Sequence, residues 1–262
     1  MLPVRHDLAM LGKAARRSPP SHRRAAPLVT YALIGICCAV FLLGPASGLT
    51  GPPGPHGAGD LLVAQTAYFE RWGVVPEELW HGSPERLLTP LTALFVHGNW
   101  LHLLGNMLFL YVFGAMAEER MGRASFALFY LAAGVLALLG YAAAHADSLQ
   151  MLVGASGAIS GVLGAFLCLF PRARVTSLFP FLFFLPLRFP AWAVLLFWFV
   201  LQWLAARTAG DRPGVAYLAH VLGFALGFLY AWARYRCAAR VKSTAASGDG
   251  PRPPGDPPPG PR

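Results

Sequence analysis

Apolar stretches of membrane-spanning length, separated by short connections, constrain this sequence more than any other feature. Six are legible, at about 28–43, 100–117, 125–144, 156–170, 191–206 and 215–235. A helix of roughly 20 residues crosses a hydrocarbon core about 30 Å thick. Lipid offers no partner to backbone N–H and C=O groups, so such segments must pair them internally, as helices do. Charged residues make up only 13% of the chain, whereas soluble domains carry about 25%. The expected fold is an all-α membrane protein, a bundle of six transmembrane helices.

The formal net charge of +9 raises the question of nucleic acid, and the placement of the charge answers it. The basic residues cluster in the N-terminal tail (Arg5, Lys13, Arg16, Arg17, Arg23, Arg24), between apolar segments, and after the last one (Arg234, Arg236, Arg240, Lys242). No basic stripe with interleaved aromatics stands on a polar domain, so no nucleic-acid partner is expected. With the N-terminus inside, only Arg71, Arg86, Arg207 and Arg212 of the 21 Lys and Arg residues fall outside. That bias orients the chain with both termini cytoplasmic, as a multi-pass protein of the plasma (inner) membrane. Residues 1–27 read as a basic cytoplasmic tail, 28–236 as the helical domain, and 243–262 as a Pro- and Gly-rich tail expected to be disordered. The long first loop, 44–94, carries Trp72 and Trp80 among acidic residues, which suits an interfacial element on the outer leaflet. A Phe- and Pro-rich connection at 179–190 is expected to pack at the interface.

Several chemistries are absent from the pattern. Cys37 and Cys38 are adjacent, Cys168 and Cys237 stand alone, and no Cys-x-x-Cys spacing occurs, so neither a zinc site nor a disulfide framework is implied. No aspartate lies within a span and no His-Glu-x-x-His is present, which argues against aspartyl and zinc proteases of the membrane. What remains are polar groups inside apolar segments, where they are expensive and usually functional. Gly154-Ala155-Ser156-Gly157 opens the fourth span, and His220 lies about five residues into the sixth. A hydroxyl and an imidazole are the minimum parts of serine-type covalent catalysis. Each has a plain alternative: Ser156 as a helix N-cap, His220 as a buried histidine bonded to a neighbouring helix.

Depth favours pairing the two. A helix over 156–170 is roughly 22 Å long, shorter than the hydrocarbon core, so Ser156 should lie below the outer surface. His220 lies about 8 Å below the outer end of its span by the same rise. Gly157, Ser160, Gly161 and Gly164 line one side of the fourth span, and Gly223 and Gly227 repeat on the sixth. Such small-residue faces allow close helix contact, which would put Ser156 and His220 at its top. His102 and Asn106, four apart on one face of the second span, can donate hydrogen bonds as an oxyanion requires, or can serve as interhelical polar glue. His97 reads better as an interfacial or structural histidine. Glu118 and Arg120 follow the second span on the inner side and are expected to tie that loop together.

Taken jointly, these residues resemble the rhomboid intramembrane serine proteases of the bacterial six-span type. The resemblance runs over about 27–235. It rests on Arg86-Leu87-Leu88-Thr89, on His97, His102 and Asn106, and on Glu118-Glu119-Arg120. Gly154-Ala155-Ser156-Gly157 and the run from Ala219-His220 to Gly227 complete it. It implies a rhomboid-type bundle, with Ser156 as nucleophile and His220 as general base in a dyad lacking a carboxylate. His102, Asn106 and the Ser156 N–H would stabilise the oxyanion. It implies transmembrane helices of other membrane proteins as substrates and no metal or cofactor, with the fifth span and the loop at 207–214 as gate and cap. Two positions depart from the pattern. Glu85 precedes Arg86 where a tryptophan is frequent. Ser160 stands where some relatives place an aromatic that stacks on the histidine, so other neighbours would have to orient His220. The rival expectation is a membrane chaperone or dislocation factor on the same scaffold, binding helices without cutting them.

Overall fold

A computed structural model describes residues 26–50, 58–179, 185–208 and 215–236. The calls on the tails, on Cys237 and on the 209–214 part of the cap loop lie outside these residues. The helices are α1 (Leu28–Leu43), α2 (Ala58–Trp72), α3 (Pro76–His81), α4 (Thr89–Thr92), α5 (Trp100–Phe109), α6 (Ala115–Met121), α7 (Arg123–Ala144), α8 (Ser156–Leu169), α9 (Ala191–Thr208) and α10 (Tyr217–Ala231). A π-helical turn, Leu110–Gly114, joins α5 to α6, and a second, Trp232–Arg236, follows α10. The protein is an all-α membrane bundle. Among the described residues Trp100–Met121, Arg123–Ala144 and Ala191–Thr208 are long and apolar enough to cross a membrane. Leu28–Leu43 and Ser156–Leu169 are shorter apolar helices.

The innermost helix is α8, buried from Gly157 to Cys168. It is small on one side because the backbone of α10 lies there. A Cβ on Gly223 would run into the Gly157 carbonyl, one on Gly227 into the Gly161 carbonyl, and one on Gly164 into the Phe224 carbonyl. On another side α7 approaches through Gly134, where a Cβ would come within 2.9 Å of Ala158 Cβ. Close backbone contact of this kind replaces the hydrophobic drive that lipid cannot supply.

The far end of the bundle is fastened by one carboxylate. Helix α1 has Pro27 at its N-cap position and no side-chain cap, and Glu118 of α6 supplies the acceptors instead. Its oxygens receive the N–H groups of Val29 (3.1 Å) and Thr30 (2.8 Å) and the Thr30 hydroxyl (2.8 Å). A negative charge at a helix N-terminus is favourable, and Glu118 is only 2% exposed. Arg120 lies over the Tyr235 ring at 5.6 Å. Helix α6 is thus tied to α1 and to the π-helical turn that follows α10.

The first loop is made of α2, α3, α4 and short 3-10 turns. Trp80 Nε1 donates to the Ala142 carbonyl of α7 at 3.0 Å. Arg86 bonds the Glu70 carbonyl and pairs with Glu78 at 2.9 Å. The loop is therefore held by Arg86 although Glu85 precedes it. One element departs from the sequence reading: Arg174–Phe179 and Leu185–Pro190 pair as antiparallel strands β1 and β2.

Candidate active site

Ser156 is the first residue of α8, and the N-cap position belongs to Ala155 without any side-chain cap bond. The hydroxyl is therefore not consumed in capping. It meets His220 Nε2 at 2.7 Å. The seam explains the distance: Gly157 and Gly223, each adjacent to this contact, let the two helix backbones touch. Ser160, one turn below, donates to the Ser156 carbonyl at 2.6 Å, so its hydroxyl is satisfied within the helix.

The other ring nitrogen, His220 Nδ1, faces the Gln202 side-chain oxygen of α9 at 2.8 Å. Trp198, one turn earlier on α9, stacks on the imidazole at 6.1 Å between centroids and 28° between planes. The stacked aromatic neighbour thus comes from α9 rather than from position 160 of α8, and Tyr217 of α10 meets the ring edge-on.

His102 and Asn106 approach from α5. Asn99 caps that helix, its side chain accepting the His102 N–H at 2.9 Å, which fixes where the first turn starts. Gly154 has φ +123°, and a Cβ there would lie 2.7 Å from His102 Nε2 and 3.6 Å from Asn106 Nδ2. Glycine is required twice, for the backbone angle and for the space. The Asn106 amide nitrogen is buried and has no hydrogen-bond partner. Close by, the first N–H groups of α8 lack intrahelical acceptors. Unspent donors converging beside a hydroxyl form a place for developing negative charge.

His97, read from the sequence as an interfacial or structural histidine, does not lie at the surface. It is 1% exposed, its Nδ1 faces the Phe95 carbonyl at 3.2 Å, and its ring meets His102 edge-on at 5.2 Å. Burial, with His102 adding to it, pushes its pKa down to about 4, so it supports His102 as a neutral ring. Ser156, His220, His102 and Asn106 open on a cavity of about 1440 Å³ walled by the 144–154 loop, α5, α9 and the start of α10. Among the described residues no cluster of three His, Cys, Asp or Glu side chains is arranged to hold a metal ion.

Residues 84–237 match the Rhomboid domain. The chain belongs to the rhomboid family. It is 36% identical over 144 residues to the mitochondrial Rhomboid protein 1 of Saccharomyces cerevisiae, covering 53% of this chain and 40% of the yeast protein. It is 38% identical over 96 residues to the chloroplastic Rhomboid-like protein 11 of Arabidopsis thaliana, 36% of this chain and 33% of that one. A Bacillus subtilis protein described as a candidate rhomboid protease is 35% identical over 96 residues, 36% of this chain and 43% of its own length. The matches thus span less than half the length of each relative.

In this rhomboid the structure brings all four sequence-predicted residues, Ser156, His220, His102 and Asn106, to one cavity. Sequence reasoning missed Gln202 and Trp198. The available signal was that Gln202 is the one amide within the apolar run of α9, four residues after Trp198 and so on the same face.

Proposed function

We propose that this rhomboid is a serine endopeptidase of the membrane interior that cuts transmembrane helices of other proteins. The observation that carries the reading is the 2.7 Å contact between Ser156 Oγ and His220 Nε2, inside a cavity that also holds the donors His102 and Asn106. In this reading Ser156 Oγ attacks a substrate carbonyl carbon as Nε2 takes its proton. The resulting oxyanion is held by His102, Asn106 and the Ser156 N–H. Collapse breaks the C–N bond, and the imidazolium gives its proton to the leaving amine. Water, deprotonated by His220, then attacks the acyl-enzyme ester, releasing a carboxylic acid and restoring the hydroxyl. No step requires a metal or cofactor.

The catalytic unit in this reading is residues 28–236, six spans with both termini cytoplasmic. The arginine and lysine bias supports that orientation in a plasma membrane, while the named organelles of the yeast and plant relatives show that other membranes host the family. The test is the full chain in liposomes with a single-pass substrate. Two fragments, cut near one end of the substrate helix and absent with Ser156→Ala and with His220→Ala, are expected. Substrate capture without cleavage would instead favour a helix-binding chaperone, and cleavage retained by either variant would overturn the assignment.

A further inference from the structure

The far side of the imidazole is not accounted for by a two-residue dyad. To take a proton at Nε2, His220 must carry its own proton on Nδ1, and the partner of Nδ1 decides which tautomer forms. That partner is the Gln202 side-chain oxygen at 2.8 Å. A carbonyl oxygen has no proton to give, so it selects the Nδ1–H form and leaves the Nε2 lone pair facing the serine hydroxyl.

Gln202 stands on the stripe of α9 that faces inward, with Ala191, Leu195 and Trp198 at helical spacing before it. The helix is pinned at its start, where the N–H groups of Ala191 and Trp192 donate to Ala173 (2.7 Å) and Pro171 (3.1 Å) carbonyls. Its buried residues, Ala191 and Leu195, are at that same end. Further along, Trp198 and Gln202 are half-buried and line the cavity. An inward polar side chain at this place is costly beside lipid unless it is bonded.

We propose that Gln202 is the positioning residue of the reaction, its amide oxygen accepting the His220 Nδ1 proton and holding Nε2 open to Ser156. This rests on the reading of Ser156 and His220 as nucleophile and base. A carboxylate would select the same tautomer, but a neutral amide does so without burying a charge in an apolar helix. Trp198 limits rotation of the ring from its face. The other titratable groups around His220 are Ser156 of α8, Tyr217 of its own helix and His102 of α5, with His145 and Asp147 lining the same cavity.

The test compares the wild-type full chain with Gln202→Met, which keeps the shape without the acceptor, and Gln202→Glu, which keeps the acceptor and adds a charge. Two readouts are used: kcat and KM on a transmembrane substrate as a function of pH, and the ring 15N shifts of His220. Gln202→Met should lower kcat roughly 10–100-fold, as loss of an orienting partner does elsewhere, with KM within about twofold. Gln202→Glu should restore kcat to near wild type and move the acid limb of the profile up by about one pH unit or more, because a carboxylate favours the imidazolium. The 15N shifts should report Nδ1–H in the wild type and a tautomer mixture in Gln202→Met. Unchanged kcat in Gln202→Met, equal loss in both variants with the acid limb unmoved, or an unprotonated Nδ1 in neutral wild-type His220 would each overturn the proposal. If the wild type cleaves nothing, the nitrogen shifts decide alone. A tautomer released by Gln202→Met would sustain the Gln202 contact and sink only the protease reading, and one indifferent to it would sink the proposal.

Discussion

The two helices that meet α8 around the Ser156–His220 contact do so in opposite ways. Helix α10 meets α8 backbone to backbone, through glycines that leave no room for a Cβ. Helix α9 meets the same pair through half-buried side chains, and only Ala191 and Leu195 of its residues are buried, against nine residues of α7. Distance and orientation are thereby assigned to different structures. The glycine seam sets how far Ser156 lies from His220, and it is rigid because interiors packed this closely do not deform continuously. The side chains of α9 set how the imidazole is turned, on a helix that has few buried contacts to lose.

That contrast is broken most severely at the seam. Gly223→Leu and Gly227→Leu must push α10 away from carbonyls of α8, so peptidase activity should fall by about 100-fold or more, since a 1 Å misplacement can do as much. Overpacking should also lower stability by about 1–3 kcal/mol, read from thermal unfolding in detergent. On the same rigid side, Glu118→Gln replaces a carboxylate that accepts three hydrogen bonds. It should cost about 2–3 kcal/mol, as bonds to charged groups do, while activity of the folded fraction, measured by active-site titration, stays near wild type. On α9, Trp198→Leu removes the stacking surface and should lower kcat only several-fold, roughly the value of an aromatic contact of 0.5–1.5 kcal/mol, without lowering the unfolding midpoint. Phe197→Ala, at a side chain 67% exposed, should change neither quantity in a bilayer. Equal damage from Trp198→Leu and Gly223→Leu would erase the distinction between the two helices.

How much of this was legible in the sequence follows the same division. The seam is written in residue type: small residues four apart on both α8 and α10 state which faces meet, and the meeting faces carry Ser156 and His220. Helix α8 could be placed deep because it is short and small-sided. Helix α9 is apolar all round, since its outer face meets lipid, so no amphipathic stripe marks its inward side. Gln202 and Trp198 could not be aimed at His220 without the helix rotation. His97 reads as near-surface because it precedes a span, yet it is 1% exposed, with its ring packed edge-on against His102. The β1–β2 pair was hidden by Pro180, Pro186 and Pro190, which ordinarily argue against a strand. Glu118 was read as a loop fastener, but its partner, the uncapped start of α1, lies 88 residues away in the chain.

In the proposed mechanism a seam of glycines holds one hydroxyl against one imidazole and so makes that hydroxyl a nucleophile. The most direct test is the site of covalent modification by a fluorophosphonate, mapped by mass spectrometry on the full chain in detergent. A single adduct on Ser156, lost in His220→Ala although that variant remains folded, is the predicted result. An adduct elsewhere, or one on Ser156 that forms equally fast without His220, would contradict it.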